Sequence, residues 1–121
     1  MAYIQRDIVK VKTPFTAVAE KTHPFLIISN EIANGHEKQG RRYTGVMLTH
    51  SSRTDRFSFP LSNDAIENHF DRSFSQIRMH IIASFNENDI SRDMTAYIGR
   101  MKKEDFKQLL QQIRDYVFSI D

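Results

Sequence analysis

With 121 residues, 40% of them hydrophobic and 26% charged, the chain carries enough apolar material for one buried core and too little for two, so 1–121 is read as a single domain. A net charge of +2 is too small to announce a nucleic-acid binder by itself, although a pI near 9.0 permits one. The absence of cysteine removes disulfides, thiolate catalysis and cysteine-held zinc together.

The N-terminal "MAYIQRDIVKVKT" alternates charge with apolar residues too soon to hold a signal-peptide core. No apolar stretch reaches the roughly 20 residues that cross a bilayer, so a cytoplasmic protein without membrane contact is expected. Ile8 to Lys12 reads as a first strand, with Val9 and Val11 on one face and Pro14 beyond it. Phe25 to Ser29 follows Pro24 and is apolar on both faces, the pattern of a central strand. Tyr43 to His50 is a third strand. Arg56 to Leu61 is a fourth, with Phe57, Phe59 and Leu61 on one side and Pro60 marking an edge. A long fifth strand puts Ile77, Met79, Ile81, Ala83 and Phe85 on one face and leaves Arg78, His80 and Ser84 on a wet one. Thr95 to Arg100 is a sixth strand. From Lys103 to Ser119 the apolar positions Phe106, Leu109, Leu110, Ile113, Val117 and Ile120 keep a helical rhythm, with Glu104 and Asp105 in the first turn. Short strands followed by one C-terminal helix predict a mostly β, α+β, barrel-like domain of about five to seven strands.

Loops are expected at "AVAEKT", at "EIANGHEKQGRR" with its Asn34-Gly35 turn, and at "NENDISRD". The histidines at 23, 36, 50, 69 and 80 lack the spacing of a helical zinc site, and no phosphate-binding glycine pattern exists, so no metal and no cofactor are expected. Lys38, Arg41, Arg42, Arg53 and Arg56 are balanced by Asp55 alone between Lys38 and Arg56. That run is either a solvated charged loop or a track for a phosphate backbone, with Tyr43 or Phe57 as a stacking face. Thr49 and Ser51 are either turn formers or phosphate contacts. Arg78 either pairs with an acid across strands or meets a substrate.

In order along the chain stand "RDIVKVK", "KTHPFLIISNE", "YTGVMLTHSS", "RSFSQIRMHIIA" and "AYIGRMKKEDFKQLLQQI". Asp7, Ile8 and Val9, then Pro24, Ile27, Ile28 and Ser29, then Thr49, Ser51 and Ser52, then Gln76, Ile77 and Arg78, then Ile98, Gly99 and Met101 give a sequence that resembles the MazF/PemK family of toxin endoribonucleases. The resemblance implies a small SH3-like twisted barrel that forms a homodimer, cleaves single-stranded RNA (mRNA) without metal, and is restrained by a cognate antitoxin peptide. It also implies a site. The family's threonine falls at Thr49, and the position of its arginine, just before the strand-two proline, is His23.

Cleavage of this kind needs a base for a ribose 2′-OH, an acid for the leaving 5′-oxygen, and donors for the phosphorane charge. Imidazole can move protons but does not fork onto phosphate as guanidinium does. His23, Thr49 and Arg53 are therefore the expected catalytic group, and Lys38, Arg41, Arg42, His50, Ser51 and Arg78 the expected substrate contacts. The glycine-containing loop that usually precedes the family's arginine is missing, and Ser75 stands where some relatives carry aspartate. A catalytically degenerate member that binds RNA or an antitoxin is the alternative, and a CcdB-like gyrase poison, with Tyr116 and Phe118 on its helix, a more distant one.

Overall fold

The computed structural model describes residues 3–12, 22–67, 74–92 and 95–121. The expected loop at "AVAEKT" and the residues His69 and Asp71 lie outside these segments, apart from Thr22. Seven strands form one antiparallel sheet: β1 (Asp7–Lys12), β2 (Thr22–Ile27), β3 (Arg42–Thr49), β4 (Ser58–Pro60), β5 (Ile66–Glu67), β6 (Gln76–Asn86) and β7 (Tyr97–Met101). A short α1 (Glu31–Asn34) follows β2, and α2 (Lys103–Gln112) follows β7. The spatial order is β4-β6-β3-β2-β1-β7-β5. The two edge strands are not paired to each other, so among the described residues the sheet is not closed; its seven strands and C-terminal helix make the mostly β, α+β domain that was expected.

Strand β2 lies fourth of the seven, and its apolar character on both faces has a direct cause. Ile8 and Leu26 enter one core with Val46, Ile77, Met79 and Ile98, which α2 covers through Phe106 and Leu109. Val9, Val11, Phe25 and Ile27 enter a second core on the other face with Tyr43 and Phe85. Each such side chain, fully buried, is worth about 1.5–3 kcal/mol. Gly45 makes the second core possible: a Cβ there would sit 2.8 Å from the Phe85 ring and 3.1 Å from the Leu26 carbonyl.

The N-terminal edge of β1 is locked to β7. Asp7 is buried and pairs with Arg100 Nε at 2.8 Å, while its other oxygen accepts from the Ile4 amide at 2.9 Å. Arg6 holds a left-handed φ of 81°, a conformation that costs an ordinary residue about 1–2 kcal/mol. Its amide donates to Ile27 O, its guanidinium donates to Met101 O, and its carbonyl accepts from Met101 N.

Three sequence expectations change. The long β6 does not keep one apolar face, because its pairing with β3 jumps from Val46↔Ile82 to Met47↔Arg78. Met79, His80 and Ile81 fill this bulge, so Ile77 and Met79 serve the helix-covered core while Phe85 serves the other. The fourth strand is shorter than expected because Asp55 caps a turn: Phe57 N donates to Asp55 Oδ1 at 2.8 Å and Ser58 N to Asp55 O at 3.1 Å. At the C-terminus, Ile113–Val117 winds as a π-turn, closed by Phe118 N donating to Ile113 O. That shift turns Phe118 and Ile120 outward, so Ile120 leaves the buried stripe and is 98% exposed.

Candidate functional site

Where β3 ends and β6 begins, on the face away from α2, Met47, Thr49, Ser51, Arg53, Thr54, Asp55, Gln76, Arg78 and Ile81 line a cleft of about 460 Å³. That volume lies in the range of small-ligand sites. Its floor is strand and its rim is the turn from His50 to Asp55. The turn is built from hydroxyls bonding back onto the chain: Ser51 N donates to Thr49 Oγ1 at 3.2 Å, and Arg53 N donates to Ser51 Oγ at 3.2 Å. Both hydroxyls thus act as acceptors toward the backbone and keep their own protons free for another acceptor.

Gln76 fixes the turn from below. It is 2% exposed, and its amide nitrogen donates to Ser51 O at 2.8 Å and also to Arg53 O. Gln76→Leu keeps the volume and removes both bonds, with the longer one that Gln76 Oε1 accepts from Arg78 Nη1 at 3.4 Å. Because the freed carbonyls sit in an exposed turn and re-solvate, we expect a loss of about 1–2 kcal/mol in urea denaturation, together with faster hydrogen exchange of the Arg53 amide.

Charge in the cleft is unevenly compensated. Arg78 forks onto Asp55, Nη1 to Oδ1 at 3.0 Å and Nη2 to Oδ2 at 2.7 Å, and also reaches Ser58 Oγ at 2.8 Å. These bonds, with that from Phe57 N, hold the Asp55 carboxyl well below its ordinary 3.8, at about 2. The pair's contribution is therefore present above pH 3.8 and is lost only as pH falls through about 2. Arg53 differs: its guanidinium forms no ion pair among the described residues. Among the described residues the cleft presents one cation without an ion pair, two hydroxyls and one internally neutralised pair. Such an arrangement can bind a phosphodiester and stabilise added negative charge on it.

Of the expected residues, Thr49, Ser51, Arg53 and Arg78 share the cleft. His23 stands on β2, paired with Val11 of β1, and does not line the cleft. The β2–β3 register runs Ile27↔Gly45, Leu26↔Val46, Phe25↔Met47, so His23 and Thr49 each lie two residues beyond the last pair. His23 also shares the Phe25 side of β2, which is the Met47 and Thr49 side of β3. Its Nε2 is buried and has no hydrogen-bond partner among the described residues. His50 lies outside the cleft lining and stacks on Phe74 with ring centroids 4.4 Å apart.

The basic run divides. Arg42 and Thr49 occupy opposite ends of β3, about 23 Å apart at the rise of an extended strand. Arg41 pairs with Glu87 at 3.3 Å, Arg42 donates to Ser84 Oγ at 2.9 Å, and Lys38 is exposed on the preceding turn. Lys38, Arg41 and Arg42 therefore do not join Arg53 in one cleft, because the strand between them holds the two groups apart. Asp55 and Gln76 are the site residues without an assigned role in the sequence reading. Asp55 was visible as the sole acid in a basic run; for Gln76 the available signal was an amide side chain beginning a strand of core residues.

Among the described residues no three His, Asp or Glu side chains gather into a metal-binding group, and no helix is long and apolar enough to cross a membrane. The fold is that of solved endoribonuclease and MazF structures. It matches an endoribonuclease bound to its cognate antitoxin from a mycobacterial species with a TM-score of 0.71 at 13% identity, over 99% of each chain. It matches the Mycobacterium tuberculosis toxin MazF-mt6 at 0.67 and 19% identity, over 96% of this chain and 99% of that one. A MazE–MazF complex from Deinococcus radiodurans gives 0.68 at 10% identity, over 100% and 99%. No curated protein matches the chain by sequence. The profile of PemK-like, MazF-like toxins of type II toxin–antitoxin systems matches residues 4–117, and the chain belongs to that family.

Proposed function

We propose that this protein is the toxin of a toxin–antitoxin pair and acts as a sequence-selective, metal-independent endoribonuclease on single-stranded RNA. The observation that carries the reading is the Arg53 guanidinium, without an ion pair among the described residues, beside the Thr49 and Ser51 hydroxyls in a cleft of nucleotide size. A ribose 2′-oxygen attacks the adjacent phosphorus, the bond to the 5′-oxygen breaks, and the products are a 2′,3′-cyclic phosphate and a 5′-hydroxyl. The 2′-OH proton passes to a base, and the departing 5′-oxygen takes a proton from an acid. Arg53 and Thr49 hold the charge of the phosphorane, and the imidazole of His23, on the neighbouring strand, is assigned a proton step. Family membership and the structural relatives, two of them solved with antitoxin, support a homodimer in the cytoplasm that a cognate antitoxin peptide holds in check.

His23 in place of the family's arginine, set beside the cleft rather than in it, favours one second reading, a degenerate member that binds RNA or antitoxin without cutting. Long single-stranded RNA in excess EDTA, read by primer extension, separates the two. Discrete cuts by wild type that vanish in His23→Ala support the nuclease and place His23 in it. Intact RNA at high protein concentration turns the reading to the binder.

Substitution at Asp55 gives a further expected result. Asp55→Asn removes a negative charge from the cleft and releases Arg78 toward the ligand. RNA affinity rises several-fold, and the slope of log K against log salt steepens by about 0.7, the value for one added phosphate contact on a single strand. Fluorescence anisotropy at several salt concentrations checks both.

A further inference from the structure

Beside the cleft, three planar side chains that the reaction does not use stand together. The Phe57 and His80 rings have centroids 4.7 Å apart at an interplanar angle of 36°, and the Arg56 guanidinium carbon lies 5.6 Å from the Phe57 ring centre. Phe57 is half-buried and His80 exposed. The bulge in β6 puts them there. Met79 goes to the helix-covered core, Ile81 goes to the cleft wall, and His80 between them goes to the surface. Met79 N donates to Phe57 O at 2.9 Å and ties the bulge to the residue before β4, which keeps the two rings in contact. Asp55, on the cleft wall, stands two residues before Phe57 and accepts from the Phe57 amide at 2.8 Å.

An exposed imidazole gains little stability from one ring contact. A planar ring fixed beside a phosphate-binding cleft has what a nucleobase needs, a π-face already ordered before binding. We propose that His80, backed by Phe57, is a base-stacking residue that receives the nucleobase of a nucleotide adjoining the phosphate in the cleft. This rests on the RNA reading given above. The platform takes any planar base and favours those with the larger stacking surface. It is an affinity- and register-setting element separate from Arg53 and Thr49.

Abasic sites test it. A set of fluorescein-labelled 2′-fluoro RNA oligonucleotides, resistant to attack through the 2′ position, carries one abasic site at each position in turn. Binding is measured by anisotropy for wild type, His80→Ala and His80→Phe. At one position the missing base weakens wild-type binding at least about 5-fold, and that penalty falls below about 2-fold in His80→Ala and returns in His80→Phe. Equal penalties in wild type and His80→Ala overturn the platform while RNA binding and cleavage stand. A wild-type protein that neither binds these oligonucleotides nor cuts unmodified RNA overturns the platform and the ribonuclease reading together.

Discussion

Arg53→Ala is expected to lower RNA cleavage by about two to three orders of magnitude, the usual loss when a single donor to a charged transition state is removed, and to leave the melting temperature unchanged. The two parts of that result come from different atoms. The turn holding Arg53 is fixed through backbone groups: its amide on Ser51 Oγ and its carbonyl on Gln76. Truncating the side chain touches neither bond. The guanidinium forms no ion pair among the described residues, so its removal orphans no acid. Arg53→Lys retains the charge and loses the planar fork, and recovers part of the activity. Arg78→Ala is the contrasting case, because it strips the Asp55 carboxylate of both its guanidinium bonds and leaves an unpaired negative charge where phosphate would bind. Single-turnover cleavage rates beside melting curves check all three variants. Wild-type rates in Arg53→Ala would move the chemistry out of this cleft.

Asp7→Ala carries the largest expected cost to stability, about 3 kcal/mol, at the low end for breaking a buried ion pair. Asp7 is 3% exposed, pairs with Arg100 and caps the Ile4 amide. Its removal leaves two donors without their acceptor at the join of β1 and β7, where Asp7 and Arg100 face each other in register. The Arg100 side chain is 32% exposed and re-solvates in part, which limits the loss. For a chain of this size the melting temperature falls by roughly 10 °C. Asp7→Asn keeps a hydrogen-bonding oxygen and loses about half as much. Thermal denaturation of the two variants decides between a structural pin and a surface pair, for which both losses would stay under about 1 kcal/mol.

Much of this fold was legible in the sequence. The central place of β2 was readable because an antiparallel sheet with a core on each face requires one strand apolar on both sides, and "PFLII" is such a strand. The helix was readable from Phe106, Leu109 and Ile113. The bulge in β6 was not: Ile77, Met79, Ile81, Ala83 and Phe85 run on as one apolar series in which only Ile82 is out of step, and the jump appears only when the partner strand sets the register. The two-residue β5 carries no period to detect. The site was half legible. Thr49, Ser51 and Arg53 are neighbours in sequence and remain so around a turn, whereas Arg41 and Arg42 look equally near and are carried to the far end of β3. The Arg78–Asp55 fork could be expected only as an arginine on a wet face seeking an acid. The part played by Gln76 depends on a turn passing directly over it, which the sequence does not display.

Cleavage of RNA in this cleft through the ribose 2′-hydroxyl, without a metal ion, leaves a chemical signature on the fragment ends. The most direct measurement is mass spectrometry of fragment ends after incubation of a single-stranded RNA with the protein in excess EDTA. Wild type is expected to leave 2′,3′-cyclic phosphate and 5′-hydroxyl ends, and Arg53→Ala to lose them. Fragments ending in 3′-hydroxyl and 5′-phosphate, or uncut RNA at saturating protein, would contradict that route.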